Sequence, residues 1–434
     1  MHISAFATAL RTPGLRKKIL FTLGLLALFR LGSVVPTPGV DYGAIQQCIA
    51  IVQQGDNSIY GLINLFSGGA LLQLSVFALG IMPYITASII LQLLTVVIPR
   101  LEMLKQEGQS GQAKITQYTR YLTIGLAILQ STAILTLARN PGQLFQGCDL
   151  PVIPNTSIWV MLVMIIVMTA GTSMIMWFGE LITERGIGNG MSLLIFTSII
   201  AVIPAQFAGI ITTHGFFSFV LTCLIGVVII ALVVFVEQAQ RRIPVQYAKR
   251  MVGRRMYGGT STYIPLKFNM AGVIPVIFAS SLLFLPTLLV QLTNSQAGWA
   301  AWISQNFATG TGGIYLTTYF LLIVFFCYFY VSITFNPVEV ADNMKKYGGF
   351  IPGIRAGKPT SDYLAYVLNR LTAPGSIYLG IIAVIPVFAF DLLGVSNRFV
   401  FGGTSLLIMV GVGLDTVKQI QSQLQQRHYE GFLR

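Results

Sequence analysis

Apolar residues run in blocks about 20 long along almost the whole chain, and a helix of that length crosses the ~30 Å hydrocarbon core of a bilayer. The pattern predicts ten spans, near 19–36, 74–98, 118–138, 157–178, 187–208, 216–236, 271–292, 314–335, 376–393 and 400–418. One stretch breaks it. From Leu62 to Ile98 a single helix would measure about 55 Å, so the chain must turn, and Ser67-Gly68-Gly69 is the natural break. The short apolar piece ahead of the break carries neither charge nor tryptophan. That suits a segment buried inside a bundle better than one lying on the membrane surface.

Composition agrees with the pattern. Of the 434 residues 54% are hydrophobic and 9% charged, against roughly a quarter charged in soluble domains, so one multi-span membrane domain is expected rather than several soluble ones. The 27 Lys and Arg outnumber the 14 Asp and Glu, and their placement in alternate connections reports topology. One face collects 24 of the 27, including Arg11, Arg16, Lys17 and Lys18 at the start and Lys418, Arg427 and Arg434 at the end. Arg139 and Arg398 fall on the other face, and Arg30 lies within the first span. Both termini are therefore expected in the cytoplasm. The basic stretch and apolar run at the N-terminus have no A-x-A site after them, which predicts a retained anchor rather than a cleaved signal.

Cys48 and Cys148 fall in external connections, Cys223 and Cys327 within spans. An oxidising exterior would permit a bond between the first two, but two free thiols are the expectation. With no CxxC and histidine only at His2, His214 and His428, no metal-ligand spacing is present. Neither metal nor cofactor is expected.

The two halves repeat each other. Span two reads Gly80-Ile-Met-Pro83-Tyr-Ile85-Thr-Ala87-Ser88 and span seven reads Gly272-Val-Ile-Pro275-Val-Ile277-Phe-Ala279-Ser280. Gly190-Met-Ser192-Leu-Leu-Ile195 in span five matches Gly403-Thr-Ser405-Leu-Leu-Ile408 in span ten. Units of five spans repeat with inverted topology, and such folds place their pathway between the copies.

Nucleotide hydrolysis is not expected, because Gly357-Lys358 is followed by Pro359 and no phosphate-binding loop exists. His-Glu-x-x-His and Gly-x-Ser-x-Gly are absent as well, so the chain does not read as an enzyme. Glu180, Glu184, Glu237, Asp391 and Asp415 sit at span ends or in connections. A secondary transporter of small solutes, the rival reading, would keep a coupling site near the midplane. A scaffold without a pore would leave the broken segment and the basic connections without purpose. Arg30, well inside the first span, could snorkel or pair with a partner subunit, and snorkelling is the expectation. A passive conduit with an apolar interior remains.

The chain resembles the bacterial SecY family of protein-conducting channel subunits over essentially its whole length. The resemblance rests on Pro36-Thr-Pro-Gly39, Phe66-Ser-Gly-Gly-Ala70, Phe77-Ala-Leu-Gly-Ile-Met-Pro-Tyr84, Gln117-Tyr-Thr-Arg-Tyr121, Thr183-Glu-Arg-Gly-Ile-Gly-Asn-Gly190, Tyr247-Ala-Lys-Arg250, Asn269-Met-Ala-Gly-Val-Ile-Pro275, Ala341-Asp-Asn-Met-Lys-Lys346, Pro352-Gly-Ile-Arg355 and Phe401-Gly-Gly-Thr-Ser-Leu-Leu-Ile408. It implies an all-α membrane protein of ten transmembrane helices, built as two inverted five-helix halves (1–213 and 214–434) around a central hourglass pore with a short plug half-helix near 62–74. Cytosolic loops would cover 237–270 and 336–375.

By the same resemblance, Ile81, Ile85, Ile187, Met191, Ile277 and Ile408 form the pore ring, where apolar side chains close around a polypeptide and dewet when the pore is empty. Met191 stands where isoleucine is commoner. Leu65, Phe66, Ser67, Gly68, Gly69, Ala70, Leu71 and Leu72 match the plug, without the basic residue that family plugs sometimes carry near Gln73. Thr86, Gln130 and Asn269 match the polar cluster of a lateral gate between spans two and three on one side and seven and eight on the other. Arg241, Arg242, Lys249, Arg250 and Arg355 match contact positions for the ribosome or the SecA ATPase, whose rRNA phosphates or acidic surfaces suit cations. The implied partners are SecE and SecG, SecA, the ribosome, secretory and membrane protein clients, anionic lipids at the N-terminal cluster, and SecDF and YidC. The implied place is the bacterial plasma membrane.

Overall fold

The structure, a computed structural model, describes residues 2–54, 68–141, 145, 148–248, 250–252, 255–257, 261–293, 297–307, 312–392 and 403–430. The N-terminal part comprises α1 (His2–Arg11), α2 (Pro13–Val34), α3 (Tyr42–Gln54), α4 (Met82–Val97), α5 (Pro99–Gln106), α6 (Gln109–Ala138), α7 (Ile158–Arg185) and α8 (Gly190–Gln238). Strands β1 (Gln240–Tyr247), β2 (Arg250–Val252), β3 (Arg255–Tyr257) and β4 (Ser261–Lys267) follow. Next come α9 (Ile274–Thr293), α10 (Gly298–Phe307), α11 (Gly313–Thr334), α12 (Pro337–Lys346), β5 (Gly349–Phe350), α13 (Lys358–Leu392) and α14 (Gly403–Glu430).

Among the described residues six stretches are long and apolar enough to cross a membrane: Gln109–Ala138, Ile158–Arg185, Gly190–Thr212, Gly215–Gln238, Gly313–Lys346 and Lys358–Pro386. Helix α4, bent by 100° against α5, adds a seventh if the pair is one span. Helix α2 stands outside that group; it is 22 residues long but carries Arg16, Lys17, Lys18 and Arg30. The 49-residue α8 is two helices merged across a break at Gly215, whose φ of 81° and ψ of 170° are not helical.

Span two begins later than its apolar run suggests. Residues 68–81 are turns and a bridge rather than helix, because Gly68, Gly69 and Gly80 take φ of 67°, 88° and 58° and Leu74 takes 45°, values a right-handed helix excludes. The helix starts at Met82, with a proline in its first turn, where a missing N–H costs nothing. The expected break at Gly68-Gly69 is present. The expected plug half-helix lies mostly outside the described residues, and its described end, Gly68 to Leu72, is turn.

The purely α expectation is corrected in the basic connections. β1 pairs antiparallel with β4, from Gln240↔Lys267 to Gln246↔Ser261, and with β5 through Gln246↔Phe350 and Tyr247↔Gly349. A second hairpin joins β2 to β3. The cause is alternation: along β1, Ile243 and Val245 are buried while Arg242, Pro244 and Gln246 are exposed, the period of a half-buried strand. Ile243, Val245 and Leu266 pack with Met344, Ile351, Leu364 and Val367. The two basic connections are thus one unit with one core.

Half of the buried hydrophobic residues among those described belong to a single apolar cluster running from Leu25 and Phe29 of α2 to Leu406–Ile408 and Val412 of α14. A second cluster lies around Ile45, Cys48, Leu71, Leu74, Phe145 and Cys148. Within it Cys48 and Cys148 form a disulfide, with Cα atoms 5.4 Å apart. This corrects the expectation of free thiols: α3 and the segment after α6 fold onto one core, which brings both sulfurs within bonding reach. Cys223 and Cys327 are free.

Candidate functional site

The repeat read from the sequence has a local structural counterpart. Gly80 and Gly272 are both left-handed, at φ 58° and 66°; α4 and α9 each start two residues later with proline as the second residue. Helices α8 and α14 each begin on the repeated glycine, Gly190 and Gly403. These shared starts carry the isoleucines matched to the ring. Ile81, Ile85, Ile277 and Ile408 are 2%, 6%, 6% and 0% exposed and belong to the main cluster, with Met191 half-buried against it. Ile187 does not join them. It is buried in a separate group with Ala9, Leu15, Ile19 and Ile420, and its N–H donates to Thr22 Oγ1 at 3.2 Å.

Burying one such side chain is worth about 1.5–3 kcal/mol, so each of these isoleucines contributes to holding its segment in the apolar cluster. Any separation of the helices has to replace that apolar contact with another. A dry, branched closure of this kind suits a gate that must stop ions.

Helix α9 packs against α4, α6 and α11, which is the seam expected to part sideways. Along it the three polar residues matched to a gate do not bond one another. Thr86 Oγ1 donates within its own helix to the Met82 carbonyl at 3.0 Å. Gln130 is half-buried on α6. Asn269, only 3% exposed, spends its amide on Glu237 Oε1 at 2.8 Å and on the Gly272 carbonyl at 3.1 Å. Beside it Lys267 pairs with Asp415 of α14 at 3.5 Å. The sequence reading placed Glu237 at a span end but did not pair it with Asn269, because only the fold brings the end of α8 to that residue. Gln92 on α4 was missed as well; its Oε1 is buried without a hydrogen-bond partner among the described residues, an arrangement that a core rarely tolerates without a reason.

The described end of the segment matched to a plug is fastened to the chain after α2. Pro36 bridges Ser75; Thr37 N–H donates to the Leu74 carbonyl at 3.0 Å, Val76 N–H to the Val35 carbonyl at 3.0 Å, and Thr37 Oγ1 to the Leu74 carbonyl at 2.8 Å. Gly68, Ala70 and Leu71 are buried and Gly69 and Leu72 half-buried, whereas Leu65, Phe66 and Ser67 lie outside the described residues. Arg30 does not reach for the membrane surface as expected. Its Nη1 donates to the Gly68 carbonyl at 2.5 Å.

On the basic unit Arg241, Arg242 and Arg355 are exposed. Arg242 stacks over the Tyr263 ring at 4.8 Å, a contact worth about 0.5–1 kcal/mol at an exposed site. Arg250 begins β2, and Lys249 lies outside the described residues. Arg355 sits between two left-handed glycines, Gly353 and Gly357, with its carbonyl accepting from Thr360 Oγ1 at 2.7 Å. The cation is therefore presented by a turn whose backbone is tied down.

A family model described as SecY matches residues 75–417. Protein translocase subunit SecY of Streptomyces coelicolor is 64% identical over 438 residues, and that of Mycobacterium tuberculosis 61% identical over 441, each covering 100% of both chains. Among solved structures the chain is similar to a protein-conducting channel, with a TM-score of 0.64 at 18% identity over 93% of this chain and 91% of that one. It is similar also to Sec61 in the canine ribosome-channel complex, with a TM-score of 0.62 at 17% identity over 93% and 91%. With several apolar helices of spanning length, a matching family model and full-length relatives above 60% identity, this multi-pass membrane chain belongs to the SecY family.

Proposed function

We propose that the chain is the channel subunit of a protein translocase, passing unfolded secretory polypeptides across the bacterial plasma membrane and releasing signal and transmembrane helices sideways into lipid. The reading takes ten spans in two inverted halves, 1–213 and 214–434, with both termini in the cytoplasm. Ile81, Ile85, Met191, Ile277 and Ile408 form the waist, with Ile187 at its cytoplasmic margin. Residues 65–72 act as the plug, and the seam of α9 against α4 and α6 acts as the lateral gate, with Thr86, Gln130, Asn269 and also Gln92 along it. The basic unit, through Arg241, Arg242, Lys249, Arg250 and Arg355, receives the ribosome or SecA, which supplies the energy. SecE and SecG complete the complex, with SecDF and YidC as accessory partners and anionic lipids at the N-terminal cluster.

The observation that carries the reading is that Ile85, Ile277 and Ile408, from three helices of the two matched stretches, are buried in one apolar cluster, with α9 packed against both α4 and α14. A solute carrier would need a polar binding site there, and none of the comparisons favours that alternative. Photoreactive residues at Ile85 and, separately, Ile408 test it, with a stalled secretory chain threaded through the complex. Crosslinks from both to mid-chain client residues are expected. Their absence in a preparation shown to be translocating would overturn the waist.

A further inference from the structure

Helix α10 has no part in the function proposed above, yet it sits beside the seam. It packs on both α9 and α11, and the connections on either side, 294–297 and 308–312, are too short to carry it far from the ends of those helices. Its sequence, Gly298-Trp-Ala-Ala-Trp-Ile-Ser-Gln-Asn-Phe307, holds no charge, and none occurs between Lys267 and Glu339. At helical spacing the residues fall on three sides. Ala300, Ile303 and Phe307 form the inner one: Ala300 is buried and the other two are half-buried, and the Phe307 ring meets that of Tyr315 on α11 edge-on at 6.4 Å. Ser304 and Gln305 are exposed on one flank. Trp299 and Trp302 stand on the other, 51% and 52% exposed.

That division matches one environment. In water, two half-exposed indoles a turn apart would be an uncovered apolar patch. In the hydrocarbon core, Ser304 and Gln305 would have no partner for their polar groups. At the level of the lipid headgroups both flanks are satisfied, and there the indole, an apolar body with one N–H donor, is at its most favourable. Asn306, on the tryptophan side, donates its amide back to the Trp302 carbonyl at 2.8 Å, which takes polarity off that side.

We propose that α10 is an interfacial anchor: it lies in the outer surface of the bilayer with Trp299 and Trp302 at the boundary of headgroups and acyl chains, and it holds the ends of α9 and α11 at that level. The occupant of the tryptophan face is lipid. The anchor rests on the reading of α9 against α4 and α6 as a lateral gate, with α10 on the external side. Sideways parting breaks the contacts of α9 with α4 and α6. It leaves the contact of α10 with lipid made, because an interfacial helix slides freely in the membrane plane and resists leaving it. The anchor therefore keeps the parted lip at its level while a client helix passes into lipid.

Trp299 and Trp302 are two of the four tryptophans in the chain, so Trp159→Phe with Trp177→Phe, in a complex with tryptophan-free partner subunits, makes the fluorescence report on α10 alone. The complex is placed in phosphatidylcholine vesicles brominated either just below the headgroup or near the chain ends. Quenching about twofold or more stronger from the shallow bromine is expected. Quenching from neither puts the indoles against protein or in water, and stronger quenching from the deep bromine puts them in hydrocarbon; either result overturns the anchor. Release of a weakly apolar client helix into lipid is the second readout. Trp299→Ser with Trp302→Ser is expected to lose about half of that release or more, and Trp299→Tyr with Trp302→Tyr to keep it, since tyrosine also favours the interface. Undiminished release by the serine pair overturns the tie to the gate and leaves the gate standing. A channel with both tryptophans that releases no helix into lipid removes the gate reading, and the tie with it, while the quenching still decides where α10 lies.

Discussion

Two stretches of the chain start a helix in the same way and are anchored in different ways. Ahead of α4 and of α9 stands a left-handed glycine, then a short turn, then proline as the second helical residue. Upstream the likeness ends. Residues 68–76 are strapped to Val35 and Thr37 and packed on the cluster that holds Cys48 and Cys148. Residues 261–269 instead run out of the basic sheet, and Asn269 is bound to Glu237. The two stretches share what a helix start demands and differ in the approach to it. In the proposed topology one approach became an external stopper and the other the footing of a cytosolic platform.

The sharpest way to break this comparison is to attack the platform alone. Arg355 is exposed, and its turn is held by backbone contacts rather than by its side chain. Arg355→Glu should therefore leave thermal unfolding unchanged while abolishing motor-driven export, at least about a tenfold loss, because a reversed charge repels the acidic surface it is meant to meet. ATP-driven import of a secretory client into inverted vesicles reads this directly. Normal import would detach the platform from the motor.

The external side offers the next largest effect. The Cys48–Cys148 bond closes a separation of 100 residues, and a cross-link of that kind contributes about 2–4 kcal/mol. Wild-type protein should lose several degrees of thermal stability in reductant, whereas Cys48→Ala with Cys148→Ala should begin lower and ignore reductant. Since Leu71 and Leu74 pack in the same cluster, the idle seal should weaken with it. Non-reducing mass mapping that finds both thiols free would remove the staple and that asymmetry between the copies.

How much of this was legible beforehand follows from the range of the forces involved. Helix starts are local: glycine and proline declare them within a few residues, and the repeat could be read for that reason. The late start of α4 was missed because counting apolar residues is blind to φ, although Gly80 ahead of Pro83 was in plain view. The sheet was missed because a charged connection reads as loop, yet Ile243 and Val245, flanked by Arg242, Pro244 and Gln246, alternate as a strand does. Other features had no local signal. Asn269 finds Glu237 across 32 residues and Arg30 finds Gly68 across 38, and only the packed fold supplies those distances. Ile187 shows the limit of matching by motif, since its packing with Leu15 and Ile420 depends on where α1, α2 and α14 meet.

The smallest effect tests the shared element itself. An L-residue in the left-handed region costs about 1–2 kcal/mol, and at Gly272 a Cβ would meet nothing within 4 Å, so the conformational cost there stands alone. Gly272→Ala should then lower the midpoint of thermal unfolding by a few degrees at most, and Gly80→Ala, at a buried position, by at least as much. Their functional consequences should differ, because the same strain enters different attachments. Gly80→Ala pulls on the strapped segment and should raise idle conductance; Gly272→Ala pulls on Asn269, whose amide bonds the Gly272 carbonyl, and should alter the response to weak signal sequences without opening the idle pore. Scanning calorimetry beside conductance and export of a client with a defective signal separates the two. A thermal cost at both with divided function would show that the copies share a helix start and nothing upstream of it; a thermal cost at Gly80 alone would mean that the second start tolerates a side chain and that the two are alike in sequence only.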